Sequence, residues 1–524
     1  MPSPDRCERR RSRRSFNSPA KENFNRGTRD TMIVGAHLLR EIPTVILGRI
    51  ASAVLRQIPS AMSSATAFCL FGTISFQTRD TSSKMHQPRG MRIYRAFFRI
   101  VFGLFGRALV GAERWAETVK LPKLIRAMPE KHPGEKRVWF HAASMGELES
   151  LWPLIERAAQ DDANRLVLTV FSTSAWKHLH QMARKLQGPP PLYVGYSPLE
   201  AGWSSAIAEV HPDLFVTAKY EAWPEIWDSL ASLGIPLAII GAKPRSSILW
   251  AKRILKLLRG RIPRILFFSF DPENEPGLAK RFPIAKVFHG SDPRWDRVFQ
   301  RSERAHPRVE ELAREFIDLP RPWGAVGSAW APDLGALPED AATEVPGTIW
   351  VIPHRIDPRS ISELEILLRE RGLTPIRTSV QERIRPAGKI VVLVDEMGFL
   401  AELYSLMDWA FIGGGFGSSI HSTIEPAIYG LPIYGGPRGQ HKFDEIPLLK
   451  KQSQLHLFED GAVGGRAQRS AEEDFLEWYR MEFSAPAEIR RSRREEWKMA
   501  NLRHRGASER IWSHLSETLR GDPR

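Results

Sequence analysis

F-I-G-G-G-F-G-S-S-I-H-S-T-I-E-P-A-I-Y-G-L-P-I-Y-G-G-P-R-G-Q-H-K, residues 411–442, carries the most informative pattern in the chain. The apolar run D-W-A-F-I, ending at Ile412, reads as a short strand that stops at Gly413, Gly414 and Gly415. His421, Thr423 and Glu425 then fall on or beside the first turn of a helix expected to continue to Tyr429. A second short strand, L-P-I-Y, stops at Gly435, Gly436 and Pro437. Glycines at a strand end let backbone come close to a ligand, and a helix N-terminus beyond them favours negative charge. The pattern fits a pocket for a phosphorylated small molecule, and it equally fits two glycine-rich turns of an ordinary α/β protein.

Working outward, strands are expected at 137–142, 166–171, 214–217, 236–240 and 286–289, with helices at 148–160 and 175–186 between them. The series restarts at 323–326, 348–352, 390–394 and 409–412. Strands alternating with helices predict parallel sheets covered on both faces. At 524 residues the chain exceeds one typical core. Two doubly wound, Rossmann-like α/β domains facing a cleft are therefore expected, over 119–305 and 321–485. The polar stretch 306–320 reads as the linker, and the basic helices of 486–524 are expected to pack back on the N-terminal domain.

The N-terminal region differs. Residues 1–90 hold 15 Lys and Arg against 6 Asp and Glu, and open with R-R-R-S-R-R-S, so they read as a largely disordered basic extension. The functional chain is expected to begin near Met91. Residues 91–118 then read as an amphipathic helix, with Arg92, Arg95 and Arg99 on one face and Phe98, Phe102 and Phe105 on another. Such a helix suits an anionic membrane surface, while the competing reading packs it on the protein's own core. The body has a formal charge contribution that makes the whole chain +15, yet no Lys/Arg stripe interleaved with aromatics marks it as a nucleic-acid binder. Only Cys7 and Cys69 are present, which excludes a disulfide framework in the body and suits a reducing compartment.

Ligands of doubly wound sheets bind where strands end, so the strand-end loops supply the candidates. The first, H-A-A-S-M-G-E, places Ser144, Gly146 and Glu147 at a helix N-terminus, where Glu147 is either a capping acid or a general base. The second, K-Y-E-A-W-P-E, offers Glu221, or else an ordinary helix start. In the second half, His354 and Arg355 follow one strand, and D-E-M-G with Met397 and Gly398 follows another. Arg355 suits a phosphate or carboxylate, against an ordinary surface arginine.

Taken in order, H-A-A-S-M-G-E, Y-E-A-W-P, S-D-P-R-W-D-R-V, V-G-S-A-W-A-P-D, V-I-P-H-R, D-E-M-G and F-I-G-G-G-F-G-x-x-I-H-x-x-x-E-P resemble the Kdo (3-deoxy-D-manno-octulosonic acid) transferases of lipopolysaccharide biosynthesis. The resemblance runs from about Met91 to Leu519. It implies a GT-B fold, CMP-Kdo as donor substrate, a lipid A precursor as acceptor, and inversion without a required metal or other cofactor. It also implies a place on the cytoplasmic face of the inner membrane. By motif, Glu147 resembles the general base and Arg355 or His354 the contact to the CMP moiety. Met397 and Gly398 resemble the nucleotide loop, and Glu425 the residue that holds the ribose. Gly413 to Gly415 would supply room and amides for the donor, beside His421 and Ser422. The chain departs from the family pattern at Lys219, Lys243 and Ser422. A relative using another activated sugar or acceptor, and an inactive membrane-bound homologue serving as a scaffold, are the alternative readings.

Overall fold

The computed structural model describes residues 88–219, 221–244, 246–380, 388–459 and 469–521, so nearly all of the basic extension lies outside the described residues. Among the described residues, fourteen strands form two seven-stranded sheets. The first contains β1 (Lys136–Ala142), β2 (Asn164–Val170), β3 (Tyr193–Tyr196), β4 (Leu214–Ala218), β5 (Leu237–Ile240), β6 (Ile265–Ser269) and β7 (Lys286–His289). The second contains β8 (Trp323–Ala329), β9 (Thr348–Pro353), β10 (Leu373–Arg377), β11 (Lys389–Leu393), β12 (Trp409–Ile412), β13 (Ile433–Gly435) and β14 (Leu455–Leu457). Their orders are β3-β2-β1-β4-β5-β6-β7 and β10-β11-β9-β8-β12-β13-β14, with every pairing parallel. Central strands such as β5 (L-A-I-I) and β9 (T-I-W-V-I-P) are buried at every position, as strands covered on both faces must be.

In both sheets the chain first builds the strands on one side of its first strand, then crosses to that strand's other side. The switch falls between β1 and β4 in one sheet and between β8 and β12 in the other. Strand ends diverge there, which opens a crevice for a ligand. Each switch point also carries a non-glycine residue in the left-handed region, Lys219 after β4 (φ +53°) and Ser328 at the bulge in β8 (φ +55°). Such conformations persist only where packing enforces them, and they cluster at functional sites.

The linker expected at 306–320 is instead the helix Pro307–Glu315 and its exit. Val309, Leu312, Phe316 and Leu319 lie in the second domain's core together with Trp295, Val298 and Phe299. That core begins with the helix Arg294–Ser302, because its apolar residues at i, i+3 and i+4 face the second sheet and not the first. The C-terminal region divides. The helix Ala487–Leu502 stays on the second domain, where Asn501 donates to the Ala427 carbonyl (2.7 Å), whereas Ala507–Arg520 crosses over. Ile511, Trp512, Leu515 and Leu519 join the first domain's core.

The helix expected over 91–118 is a hairpin, Arg89–Val110 followed by Ala112–Arg126, turning at Gly111 (φ +83°). Its arms touch where Gly106 meets the Trp115 ring, and a Cβ there would lie 2.0 Å from ring carbon. Arg95 does not point outward. It is buried against Glu225 (3.3 Å) and Asp228 (3.2 Å), while Met91, Tyr94 and Phe98 enter the first domain's core. The first half of the helix thus follows the core-packing alternative. Beyond it, Ile100 is exposed and Val101, Phe102, Leu104 and Phe105 are only partly covered. No described helix is long and apolar enough to cross a membrane.

Candidate functional site

β1 ends in Ala142, and the chain turns through Ala143 and Ser144 into the helix Met145–Ala159. Ser144 Oγ accepts from the Glu147 amide (3.4 Å), and Glu147 Oε2 accepts from the amides of Ala143 (2.6 Å) and Ser144 (3.3 Å). This reciprocal capping box fixes Glu147 at the mouth of the switch point, so the capping reading is correct as geometry. It does not exhaust the residue. Both backbone bonds fall on Oε2, which leaves Oε1 to take a proton. Burial pushes the Glu147 carboxyl up to about 8, with the charge of Glu221 acting in the same direction against the Ala143 amide and Lys219. A simple surface cap would be held low by the helix dipole. Here desolvation wins, and it makes a carboxylate basic enough to deprotonate near neutral pH. Gly146 is exposed, and a Cβ added there would meet nothing within 4 Å.

Glu221 arrives from the loop after β4. Its Oε2 accepts from Trp223 Nε1 (2.7 Å) and lies 3.7 Å from Nε2 of the fully buried His141. Lys219 is buried beside this pair, and its Cγ would lie 3.4 Å from a Cβ on Gly241. His141 and Lys219 were not among the expected site residues, although both stand inside the motifs that mark the loops.

The second half-site is built on Asp333. Its carboxylate, fully buried, accepts from the amides of Trp330 (2.9 Å), Gly414 (2.7 Å) and Phe416 (3.3 Å). Burial pushes this carboxyl up, against those three hydrogen bonds. The Gly413 amide donates to the Gly327 carbonyl (2.8 Å). The expectation that Gly413 and Gly414 offer their amides to a donor is therefore corrected, because those amides already have partners inside the protein. What the glycines supply is space. A Cβ on Gly413 would lie 2.4 Å from the Ser328 carbonyl oxygen, and one on Gly415 would lie 2.7 Å from Gly436 backbone.

Beside this loop three rings form a pile. Trp330 stacks on His354 at 4.5 Å and His354 on His421 at 4.5 Å, with the Arg355 guanidinium 5.2 Å from the Trp330 ring. Burial, then His354, lowers His421 to about 4, so it is neutral at pH 7. Its Nε2 accepts from Trp330 Nε1 (3.3 Å), which places the ring proton on Nδ1. His354 and Arg355 are exposed at the rim of this pile. Glu425 lies in the first turn of the short helix Ile424–Ala427, which ends before the expected Tyr429 because Gly430 turns the chain left-handed (φ +66°). Burial raises the Glu425 carboxyl, Arg301 opposes this, and Glu402 and Glu149 add to it. Arg301 grips Glu402 through two bonds and reaches the Gly398 carbonyl (3.3 Å), and Met397 beside it is 73% exposed.

The S-D-P-R-W-D-R-V segment joins the halves. Buried Asp292 accepts from Arg294 Nε (2.8 Å), and Arg294 Nη2 reaches Glu445 in the second domain (2.9 Å). Burial alone would raise Asp292, but Arg294 and Lys219 hold it below the usual carboxylate range. Glu445 receives the Thr423 amide (3.4 Å), and Ser422 Oγ lies 3.5 Å away. Arg297 pairs with Glu149 of the Glu147 helix (3.0 Å), and Lys243, after β5, pairs with Asp444 across the cleft. These links turn the carboxyl ends of the two sheets toward each other.

The architecture is GT-B, the two-domain scaffold used by many glycosyltransferases. A family model described as 3-deoxy-D-manno-octulosonic-acid transferase (kdotransferase) matches residues 113–271. The chain is 26% identical to 3-deoxy-D-manno-octulosonic acid transferase of Chlamydophila psittaci over 319 residues, covering 58% of this chain and 70% of that protein. It is 23% identical to the enzyme of the same name from Bordetella pertussis over 393 residues, covering 73% and 87%. Among solved structures it is similar to the C-terminal CMP-Kdo binding domain of WaaA from Acinetobacter baumannii, at 19% identity and a TM-score of 0.29, covering 36% of this chain and 95% of that domain. Residues 113–271 thus match the Kdo transferase family model, and the chain is similar to Kdo transferases over more than half of its length.

Proposed function

We propose that the protein transfers Kdo from CMP-Kdo to a lipid A precursor, with inversion at the anomeric carbon and no metal. The observation that carries this reading is Glu147, a buried carboxyl raised to about 8 at the β1/β4 switch point. A sugar hydroxyl is a poor nucleophile until a base within reach takes its proton. Glu147 Oε1 accepts that proton as the acceptor oxygen bonds to the anomeric carbon. The bond from that carbon to the phosphate oxygen breaks, and CMP leaves with the electron pair. In this reading Arg355 and His354 contact the CMP phosphate and Glu425 holds the ribose. The room beside Gly146 suits the approaching acceptor. The partly covered apolar residues 100–105 rest on the cytoplasmic face of the inner membrane, where such an acceptor is found.

The test is incubation of purified protein with CMP-Kdo and tetraacylated lipid A precursor, followed by mass spectrometry of the acceptor. A mass gain of whole Kdo units is expected. Unchanged acceptor with intact donor would refute the reading. Glu147→Gln is expected to abolish turnover while CMP-Kdo binding persists.

A further inference from the structure

The second sheet has a feature at the end opposite its glycine loop. The amino ends of β8, β12 and β13, at Arg321, Asp408 and Pro432, meet the helices Ala471–Ser484 and Ala487–Leu502 around a cavity of about 380 Å³. Five arginines line it (Arg321, Arg490, Arg491, Arg493 and Arg494) against two carboxylates, Asp408 and Glu482. Those carboxylates are already engaged. Asp408 Oδ2 accepts from Arg321 (2.9 Å) and from the Trp323 amide (2.8 Å), and Glu482 accepts from Arg493 (2.9 Å). Arg490 lies over the Phe483 ring at 5.1 Å, and Arg493 Nε is buried without a hydrogen-bond partner. Crowding like charges on one wall is unfavourable unless an anion is present. Guanidinium groups present paired donors that match phosphate oxygens.

We propose that this cavity binds a phosphate group, borne by a soluble phosphate compound or by a lipid headgroup. It lies at the far end of the sheet from the glycosyl-transfer site, so it stands whether or not the reading of the cleft holds. An anion here would neutralise the excess guanidinium charge and tie the R-R-S-R-R turn of the helix Ala487–Leu502 to the base of β8.

The test uses the full chain and two probes. Titration calorimetry with inorganic pyrophosphate compares the wild type with Arg490→Gln/Arg491→Gln and with Arg491→Gln alone, the latter a change of one exposed side chain. Vesicle sedimentation compares phosphatidylcholine with phosphatidylcholine containing phosphatidic acid. The double variant is expected to weaken pyrophosphate binding about tenfold, equivalent to about 1.4 kcal/mol. Arg491→Gln is expected to weaken it less, which keeps the test valid if the double variant folds poorly. Loss of pyrophosphate binding with unchanged vesicle retention assigns a soluble phosphate. Loss of phosphatidic-acid-dependent retention assigns a headgroup. Equal binding of both probes by wild type and variants, or no binding of either by the wild type, overturns the proposal.

Discussion

Replacing Glu221 by Gln tests the electrostatics of the catalytic half-site without touching the proposed base. Glu147 is raised to about 8 by burial first and by the charge of Glu221 second. A base must be ionised to act, and each pH unit below its pKa lowers the ionised fraction about tenfold. Glu147 is thus ionised in about one molecule in ten at pH 7 and about one in a hundred at pH 6. The single-turnover rate of Kdo transfer should climb about tenfold between pH 6 and pH 7 and level off above about pH 8. Glu221→Gln keeps the partner for Trp223 Nε1 but removes the negative charge. The Glu147 midpoint then moves to lower pH, and the rate at pH 6 rises relative to the plateau. Because the readout is a midpoint and not an amplitude, weaker substrate binding does not imitate it. A wild-type profile that is flat from pH 6 to 9, or a midpoint unmoved by Glu221→Gln, would refute the assignment.

Three further outcomes follow from the same geometry. Asp333→Ala leaves the Trp330 amide and two amides of the glycine loop, Gly414 and Phe416, without their acceptor; unfolding in urea should show a loss of about 2–4 kcal/mol, and a change below about 1 kcal/mol would show that the loop does not rely on it. Arg294→Ala strands two buried carboxylates, Asp292 and Glu445, and should cost about 3–5 kcal/mol, whereas adding Asp292→Asn and Glu445→Gln should recover part of it; failure of that rescue would count against the bridge. Glu200, fully buried next to Glu225, is raised by burial to about 8. Its contribution to stability is full below its ordinary value near 4.5 and is lost as pH rises through about 8, so Glu200→Gln should flatten the decline in melting temperature between pH 5 and pH 9. An unchanged decline would place the titration elsewhere.

The central strands were legible because parallel strands buried on both faces read as unbroken apolar runs, as in V-L-T-V and I-W-V-I. Three unpredicted strands, β3, β10 and β14, are short sheet edges whose residues are partly exposed, which removes that signal. β6, I-L-F-F-S, carries the same apolar signal. Glu147 was legible because its cap is local, three residues from Ser144. Asp333 shares that local pattern through the Trp330 amide, but its role at the glycine loop was not legible, since the Gly414 and Phe416 amides lie 81 and 83 residues further on. Arg95 was misplaced for a related reason. Helical periodicity is the same whether a face meets lipid or protein, and its partners Glu225 and Asp228 are 130 residues or more away in sequence. The loops of the cleft were found through their position after strands, but the bridge through Arg294 depends on two domains meeting.

The crossing of the last helix makes the first domain a discontinuous unit. Its sheet is complete once residue 289 has been made, yet part of its core, from Ile511 to Leu519, arrives more than two hundred residues later. The rings of Phe288 and His514, 4.3 Å apart, lie on that seam. During synthesis, which runs from the N-terminus, the apolar surface around β6 and β7 must stay uncovered while the entire second domain is produced. The half that carries the base therefore matures last, although it is translated first, and the final helix acts as a clasp that closes only on a finished chain.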